Sequence, residues 1–110
     1  MKKLLLLLLF GLVLYGCEKI PSDAYYKIRQ NNFDAEFIYG VEYDINGNIL
    51  YERGANVGQY GDVSHTYKAH EGAVSVGIRA RINRQTRYSV ATYSLVPGDT
   101  ILVKVGNSWR

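Results

Sequence analysis

The stretch that decides the fold is AVSVGIRARIN, at residues 73–83. Its apolar residues occupy every second position, and the positions between them are polar, charged or small. Alternation with a period of two predicts a β-strand that has one buried face and one exposed face. The predicted buried row is Val74, Val76, Ile78, Ala80 and Ile82, and the predicted exposed row is Ser75, Gly77, Arg79, Arg81 and Asn83.

Other segments on both sides of this strand are typical of strands, and turn residues separate them. Asn46-Gly47 fits a tight hairpin turn, and Pro97-Gly98 fits a type II turn. Residues 33–43 alternate again, with Phe33, Ala35, Phe37, Tyr39, Val41 and Tyr43 on the predicted core face and Asp34, Glu36, Gly40 and Glu42 on the polar face. The remaining strands are predicted at residues 24–30, 49–53, 62–68, 87–95 and 100–105.

Short strands with no helical period predict an all-β domain at residues 24–110. We expect a small antiparallel β-sandwich of about seven strands, with immunoglobulin-like or related topology. A small closed barrel is the alternative. Tyr88 or Tyr93 is a candidate for the tyrosine corner of such a sandwich, and Trp109 is a candidate lid that folds back from the tail.

The first residues of the chain have the pattern of an export signal. Lys2 and Lys3 precede an almost wholly apolar run at residues 4–15, and Gly16 follows it. A basic start, an apolar run of about 7–15 residues and a small residue are typical of a cleaved signal peptide. A permanent membrane helix needs about 20 apolar residues. We therefore predict a signal peptide at residues 1–16.

The residues around the cleavage site resemble the lipobox of bacterial lipoproteins, which the chain matches at Leu14, Gly16 and Cys17. The resemblance implies cleavage between Gly16 and Cys17, a diacylglycerol thioether on Cys17, and a further acyl chain such as palmitate on its amine. Two or three acyl chains hold a protein firmly on a membrane, whereas one holds it only marginally. An ordinary secretory signal with an incidental cysteine is the alternative.

A short tether would follow the lipidated cysteine, at residues 17–23. It would hold the domain close to the membrane of a bacterial cell envelope. Glu18 does not resemble an inner-membrane retention signal, so the outer membrane is the expected location if the host has two membranes.

Composition excludes several classes of function. Loss of Lys2 and Lys3 with the signal removes two charges from the net +3 and leaves about +1, so charge-driven nucleic-acid binding is not expected. Cys17 is the only cysteine, so lipidation would leave no disulfide and no thiolate metal site. We expect no cofactor, and packing alone must stabilise the domain.

The centre of the mature chain resembles one protein family. Residues 64–80, SHTYKAHEGAVSVGIRA, resemble the central strand–turn–strand of the MmpS-like proteins, and Val41-Glu42-Tyr43 fits the preceding strand. Those proteins are small membrane-anchored β-sandwiches of the bacterial envelope. The resemblance implies an accessory domain beside an envelope transporter and not an enzyme.

Four arginines form the first candidate site. Arg79, Arg81, Arg84 and Arg87 lie on one predicted strand, in the turn after it and at the start of the next strand. A hairpin would gather them at one end of one face. Such a patch fits an anionic partner, such as an acidic surface of an envelope protein complex, anionic lipid headgroups or lipopolysaccharide phosphates. A solvated face partly paired with the acidic strands is the alternative.

A glycine-rich loop at residues 54–61, from Gly54 to Gly61, is the second candidate. Loops carry binding in many β domains. Its candidate glycan- or lipid-binding residues are Tyr51, Asn56, Gln59 and Tyr60, and a stacking platform would add Tyr25 and Tyr26. A plain connection between two sheets is the alternative.

The histidines do not predict a metal site. Zinc requires three or four converging ligands, whereas Asp62, His65, His70 and Glu71 bracket one strand and its turn. We expect both histidines at the surface. The chain contains no Gly-x-Ser-x-Gly elbow and no phosphate-binding glycine loop, and no free thiol would remain. No enzymatic activity is expected.

Overall fold

Eight strands form in residues 23–110, the part of the chain that the computed structural model describes. In chain order they are β1 (Tyr25–Gln30), β2 (Glu36–Tyr43), β3 (Ile49–Gly54), β4 (Tyr67–Lys68), β5 (Ser75–Ile82), β6 (Gln85–Tyr88), β7 (Tyr93–Ser94) and β8 (Thr100–Val105). No helix forms among these residues. The predicted signal peptide, Cys17 and the tether as far as Ser22 lie outside the described residues.

The strands make two sheets. Sheet A has the order β4-β1-β8, and sheet B has the order β3-β2-β5-β6, with β7 also paired to β5. Residues of both sheets share one apolar core, which includes Tyr26 and Ile28 of β1, Val103 of β8, and Val76 and Ile78 of β5. The predicted all-β class and small sandwich are confirmed. One pairing differs from the prediction, because β1 and β8 are parallel.

The central strand β5 forms where the alternation predicts it. Val76, Ile78 and Ala80 are buried in the core, and Arg81 on the opposite row is exposed. Val74, which was predicted in the buried row, precedes β5 and is exposed. Apolar side chains on one face of a strand are stabilised by roughly 1.5–3 kcal/mol each when fully buried. β5 therefore anchors sheet B, with β2 on one side and β6 and β7 on the other.

The predicted core face is wrong for β2 itself, although Ala35, just before it, joins the core as predicted. Ile38, Gly40 and Glu42 face the other sheet, while Phe33 and Phe37 are exposed. Gly40 is the physical reason, because a Cβ there would lie 2.8 Å from Ile28 Cδ1 and 3.2 Å from Tyr26 Cε2. The absence of a Cβ at Gly40 leaves room for the side chains of Ile28 and Tyr26 on β1. The Ile38–Gly40–Glu42 row thus faces the core, although it contains a carboxylate.

The opposite row of β2 is also partly buried, although it faces away from the core. Val41 and Tyr43 are buried there. The Tyr43 hydroxyl accepts a hydrogen bond from Arg110 Nη2 at 3.3 Å, and the Tyr43 ring lies close to Gly77. Tyr43 thus contacts the tail of the chain and its own sheet.

Two predicted strands are shorter than expected, and a serine interrupts each of them. Ser64 Oγ accepts a hydrogen bond from the Ile28 amide, so the predicted strand at 62–68 reduces to β4 and a bridge at Val63. Ser89 Oγ accepts in the same way from the Ile78 amide, so the predicted strand at 87–95 is interrupted between β6 and β7. β6 begins at Gln85, two residues earlier than predicted. A hydroxyl that bonds the backbone competes with the strand ladder.

The chain tail folds back on sheet B, as predicted for Trp109. Trp109 pairs with Ser89 in an antiparallel bridge and packs against the core. Tyr93 packs against the same core, and Tyr88 lies beside Arg110.

The strand directions define two opposite ends of the domain. The entry end contains Asp23, whose carbonyl accepts from the Gly98 amide, and the hairpin turn at residues 44–48. β1 and β8 run in parallel from this end to Gln30 and Val105. The distal end contains the loop at residues 31–35, residues 59–62 and the β5–β6 turn at residues 83–84. β1 separates the two ends by about 20 Å, at about 3.3 Å per residue.

Candidate functional site

A buried carboxylate links the two sheets near the entry end. Glu42 on β2 is 0% exposed, yet its oxygens accept four hydrogen bonds. The donors are the Tyr26 hydroxyl at 2.7 Å, Arg53 Nη2 at 3.3 Å, the His70 amide at 2.7 Å and His70 Nδ1 at 3.0 Å. A buried charge is tolerated only when such partners replace water.

Arg53 completes this cluster from the edge strand β3. Its guanidinium also donates to the Lys68 carbonyl of sheet A at 3.0 Å. The rings of Tyr26, Tyr51 and Tyr67 surround it, with centroids 5.0–5.9 Å from its central carbon. Arginine stacks favourably on aromatic faces. The cluster therefore joins both sheets at one lateral edge of the sandwich.

The electrostatics of this cluster favour a structural role. Burial, with the hydrogen bond to the negative Glu42, raises the pKa of the Tyr26 hydroxyl above its ordinary range. Tyr26 and Glu42 are both inaccessible to solvent. A dissolved substrate does not reach either group, so we assign them to sheet docking and not to proton transfer.

The distal end carries a different feature, an exposed aromatic pair. Phe33 is 83% exposed and Tyr60 is 54% exposed. Their rings stack almost in parallel, with centroids 4.3 Å apart and planes inclined by 9°. The Gly61 amide donates to the Gln30 carbonyl, which brings the end of the 54–61 loop against the residues that precede Phe33.

A third exposed aromatic residue, Phe37, lies at the same end. It is 68% exposed and has a φ of 49°, where the register of β2 against β5 shifts between Glu36 and Tyr39. A positive φ is unfavourable for a bulky residue, and bulges often redirect a side chain. We call Phe33, Phe37 and Tyr60 the distal aromatic surface.

Charged side chains border the distal aromatic surface. An open depression beside Phe33 is lined by Asp34, Glu36, Arg81, Asn83 and Arg84. A second depression, beside Phe37, also has Arg81 in its wall. The negative charges of Asp34 and Glu36 cancel the positive charges of Arg81 and Arg84, so the depression beside Phe33 carries no net formal charge.

The four arginines are not gathered on one face. Arg79 pairs with Glu52 at 3.0 Å, although the two groups lack hydrogen-bond alignment, and it lies over the Tyr39 ring at 4.1 Å. Arg81 is exposed on the same row as Arg79, and Arg84 lies in the β5–β6 turn. Arg87 pairs with the buried Ala80 across the β5–β6 ladder, and directly paired residues share a face of the sheet. Arg87 therefore lies on the face opposite to that of Arg79 and Arg81. Arg81 lines one depression with Arg84 and a second depression with Arg79, so among these arginines only Arg87 is left apart.

The candidate loop residues are divided between the two ends. Asn56, Gln59 and Tyr60 are exposed in the loop, and the buried Val57 anchors it in the core. Tyr51 is exposed on β3 and lies against His70, with ring centroids 3.9 Å apart.

The other two tyrosines of the predicted platform do not join it. Tyr26 is a core residue, and Tyr25 is half-buried at the start of β1. Of the predicted platform, only Tyr60 belongs to the distal aromatic surface, where its stacking partner is Phe33.

The histidines have separate environments. His65 is exposed, whereas the partly exposed His70 contacts the buried Glu42. Within residues 23–110, no group of three or more His, Cys, Asp or Glu side chains is arranged to hold a metal ion.

Sequence reasoning missed the two features that stand out most. Glu42 was expected in solvent, and Phe33 and Phe37 were expected in the core. The signal that identifies the true core face is the presence of Ile38 and Gly40 in the same row as Glu42. An apolar residue and a glycine in a nominally polar row indicate close packing against a second sheet.

No protein-family model, curated protein or solved structure matches this chain. Within the described part of the chain, no helix is long and apolar enough to cross a membrane.

Proposed function

We propose that this chain is a lipid-anchored, non-catalytic binding protein of the bacterial envelope. In this proposal Cys17 carries the anchor, and the distal aromatic surface contacts an envelope component. The resemblance to MmpS-like proteins supports the same kind of role, an accessory domain beside an envelope transporter.

One observation carries the proposal. Asp23 lies at the entry end, six residues after Cys17 in the sequence, whereas the exposed aromatic residues lie at the opposite end of β1. An anchor before Asp23 would hold the distal aromatic surface away from the membrane. Exposed aromatic side chains beside arginine are also typical of the residues that dominate binding energies at interfaces.

The distal aromatic surface is a better candidate than the four-arginine patch. Arg79 is already paired with Glu52, and Arg87 lies on the opposite face from Arg79 and Arg81. A single anionic partner surface would not contact all four arginines together. The proposed contact therefore depends on Phe33 and Tyr60, with Arg81 and Arg84 at their border.

Affinity capture from cross-linked native membranes tests the proposal. The full-length chain, expressed with its own signal, is compared with a Phe33→Ala, Tyr60→Ala double variant. We expect the variant to remain in the membrane fraction and to lose the component that the unmodified chain captures. The matched control is an Ile45→Ala, Leu50→Ala double variant, which removes exposed apolar side chains from the hairpin near the entry end. Equal capture by all three proteins would contradict the proposal.

A further inference from the structure

We infer that the distal aromatic surface binds a neutral glycan chain. This inference rests on the proposed function, because it names the ligand class of the same surface. It depends on three observations: the ring faces offered by Phe33 and Tyr60, the strained and exposed Phe37, and the cancelling charges beside them.

The stacked pair offers a preformed platform. Tyr60 covers one face of the Phe33 ring at a centroid distance of 4.3 Å, yet Phe33 remains 83% exposed. The exposed ring faces are flat and apolar, and a pair that is already stacked loses less side-chain entropy on binding than two separate rings would. The C–H faces of a pyranose ring are flat and apolar and stack on such surfaces, while their hydroxyl groups stay at the rim.

Phe37 extends this platform at an energetic cost. A non-glycine residue at a φ of 49° costs about 1–3 kcal/mol, and an exposed phenyl ring regains little of that from packing. Strain of this kind is concentrated at binding and active sites. Arg81 lines both the depression beside Phe33 and the depression beside Phe37, so the two aromatic positions adjoin the same residue. Two positions in a row suit a chain of sugars better than a single sugar.

The charges select a neutral ligand. Asp34 and Glu36 balance Arg81 and Arg84 around the depression beside Phe33, and Asn83 adds an amide. Sugar hydroxyls both donate and accept hydrogen bonds, so they suit a rim that contains carboxylate, guanidinium and amide groups. Across the two depressions, Arg79, Arg81 and Arg84 are matched by Glu52, Asp34 and Glu36. An acidic polymer or a phosphate-rich lipid therefore gains no net charge attraction at this surface.

Titration of the full-length lipidated protein in detergent micelles tests this inference. The neutral probes are cellohexaose, chitohexaose and maltohexaose, and polygalacturonate is the anionic probe. We expect at least one neutral hexasaccharide to bind saturably by calorimetry. Phe33→Ala and Tyr60→Ala should each weaken that binding by about tenfold or more, a factor of ten being the loss of one good contact. Ile45→Ala, an equally exposed apolar residue near the entry end, should leave it unchanged.

A Phe37→Gly variant separates recognition from folding. Glycine adopts a positive φ without strain, so the melting temperature should stay the same or rise while glycan binding weakens. A lower melting temperature with unchanged glycan binding would instead assign Phe37 to folding and overturn its place in the site.

The remaining outcomes distinguish this inference from the proposed function. Binding of polygalacturonate alone, or of no probe, would overturn the glycan assignment. If the Phe33→Ala, Tyr60→Ala variant still loses a captured membrane protein, the surface contacts a protein, and only the glycan inference fails. If that variant loses neither glycan binding nor capture, both fail.

Discussion

At the scale of single residues, Glu42 determines how the two sheets meet. Its carboxylate is fully buried and accepts from Tyr26 of sheet A and from Arg53 of sheet B. Removing one partner of a buried charge pair costs more than the pair itself contributes, because the other charge remains without compensation. Arg53 and His70 both face this carboxylate.

Neutralising Glu42 should therefore destabilise the domain. We expect Glu42→Gln to lower the free energy of unfolding by about 3 kcal/mol. Glu36→Gln is the matched control, because Glu36 is exposed, and it should change the value by less than about 0.5 kcal/mol. Urea denaturation of the two variants measures the difference, and equal midpoints would show that Glu42 is not required for sheet docking.

Tyr26 should make the fold sensitive to alkali. Its pKa is raised in the folded state by burial and by Glu42, whereas in the unfolded chain it is about 10. Above that pH the unfolded chain releases the proton and the folded chain keeps it. Stability is therefore full below about pH 10 and falls above it, by up to about 1.4 kcal/mol per pH unit.

Denaturation at several pH values above about 9 measures this effect. Tyr26→Phe should be less stable at neutral pH, because Glu42 loses a hydrogen bond, but its stability should decline less steeply in alkali. Parallel curves for the two proteins would contradict the assignment.

At the scale of strands, β5 could be predicted from the sequence and the orientation of β2 could not. Every apolar position of β5 faces one side, so periodicity is sufficient. β2 has buried apolar residues on both faces: Ile38 faces the core, and Val41 and Tyr43 are buried on the opposite face, where Arg110 contacts Tyr43. Periodicity alone does not distinguish two buried rows, and the bulge at Phe37 adds a local shift that no composition rule predicts.

The close approach at Gly40 gives a direct test of the β2 orientation. Gly40→Ala should lower the free energy of unfolding by about 1–3 kcal/mol, because its Cβ would lie 2.8 Å from Ile28 Cδ1. The control is Gly54→Ala on β3, whose Cβ would meet only the Tyr39 ring at an ordinary 3.7 Å. Thermal denaturation compares them. If Gly40→Ala is no worse than Gly54→Ala, the side chains of Ile28 and Tyr26 are not tightly packed against Gly40, which would contradict the account.

Two serines show why strand ends were also difficult to predict. Ser64 and Ser89 lie in segments with ordinary strand composition, yet their hydroxyl groups take the place of backbone acceptors. The choice between a side-chain and a backbone acceptor depends on the neighbouring strand, which lies far away in the sequence. The candidate site also depends on contacts between residues that are distant in the sequence. Tyr60 was identified from its loop, but its stacking partner Phe33 was assigned to the core.

At the scale of the whole molecule, both proposals depend on the difference between the two ends of β1. Asp23 lies at the entry end, and the exposed aromatic rings lie at the other end. The lipobox resemblance at Leu14, Gly16 and Cys17 implies an anchor a few residues before Asp23. With that anchor the distal aromatic surface would project from the membrane, and without it the orientation has no functional meaning.

The state of Cys17 is therefore the most direct test of the central claim. Mass spectrometry of the mature protein from bacterial membranes should find an N-terminal residue Cys17 that carries a diacylglycerol thioether. A Cys17→Ala variant should retain its signal and leave the lipidated form undetectable. A freely soluble mature protein with an unmodified Cys17 thiol would contradict the claim.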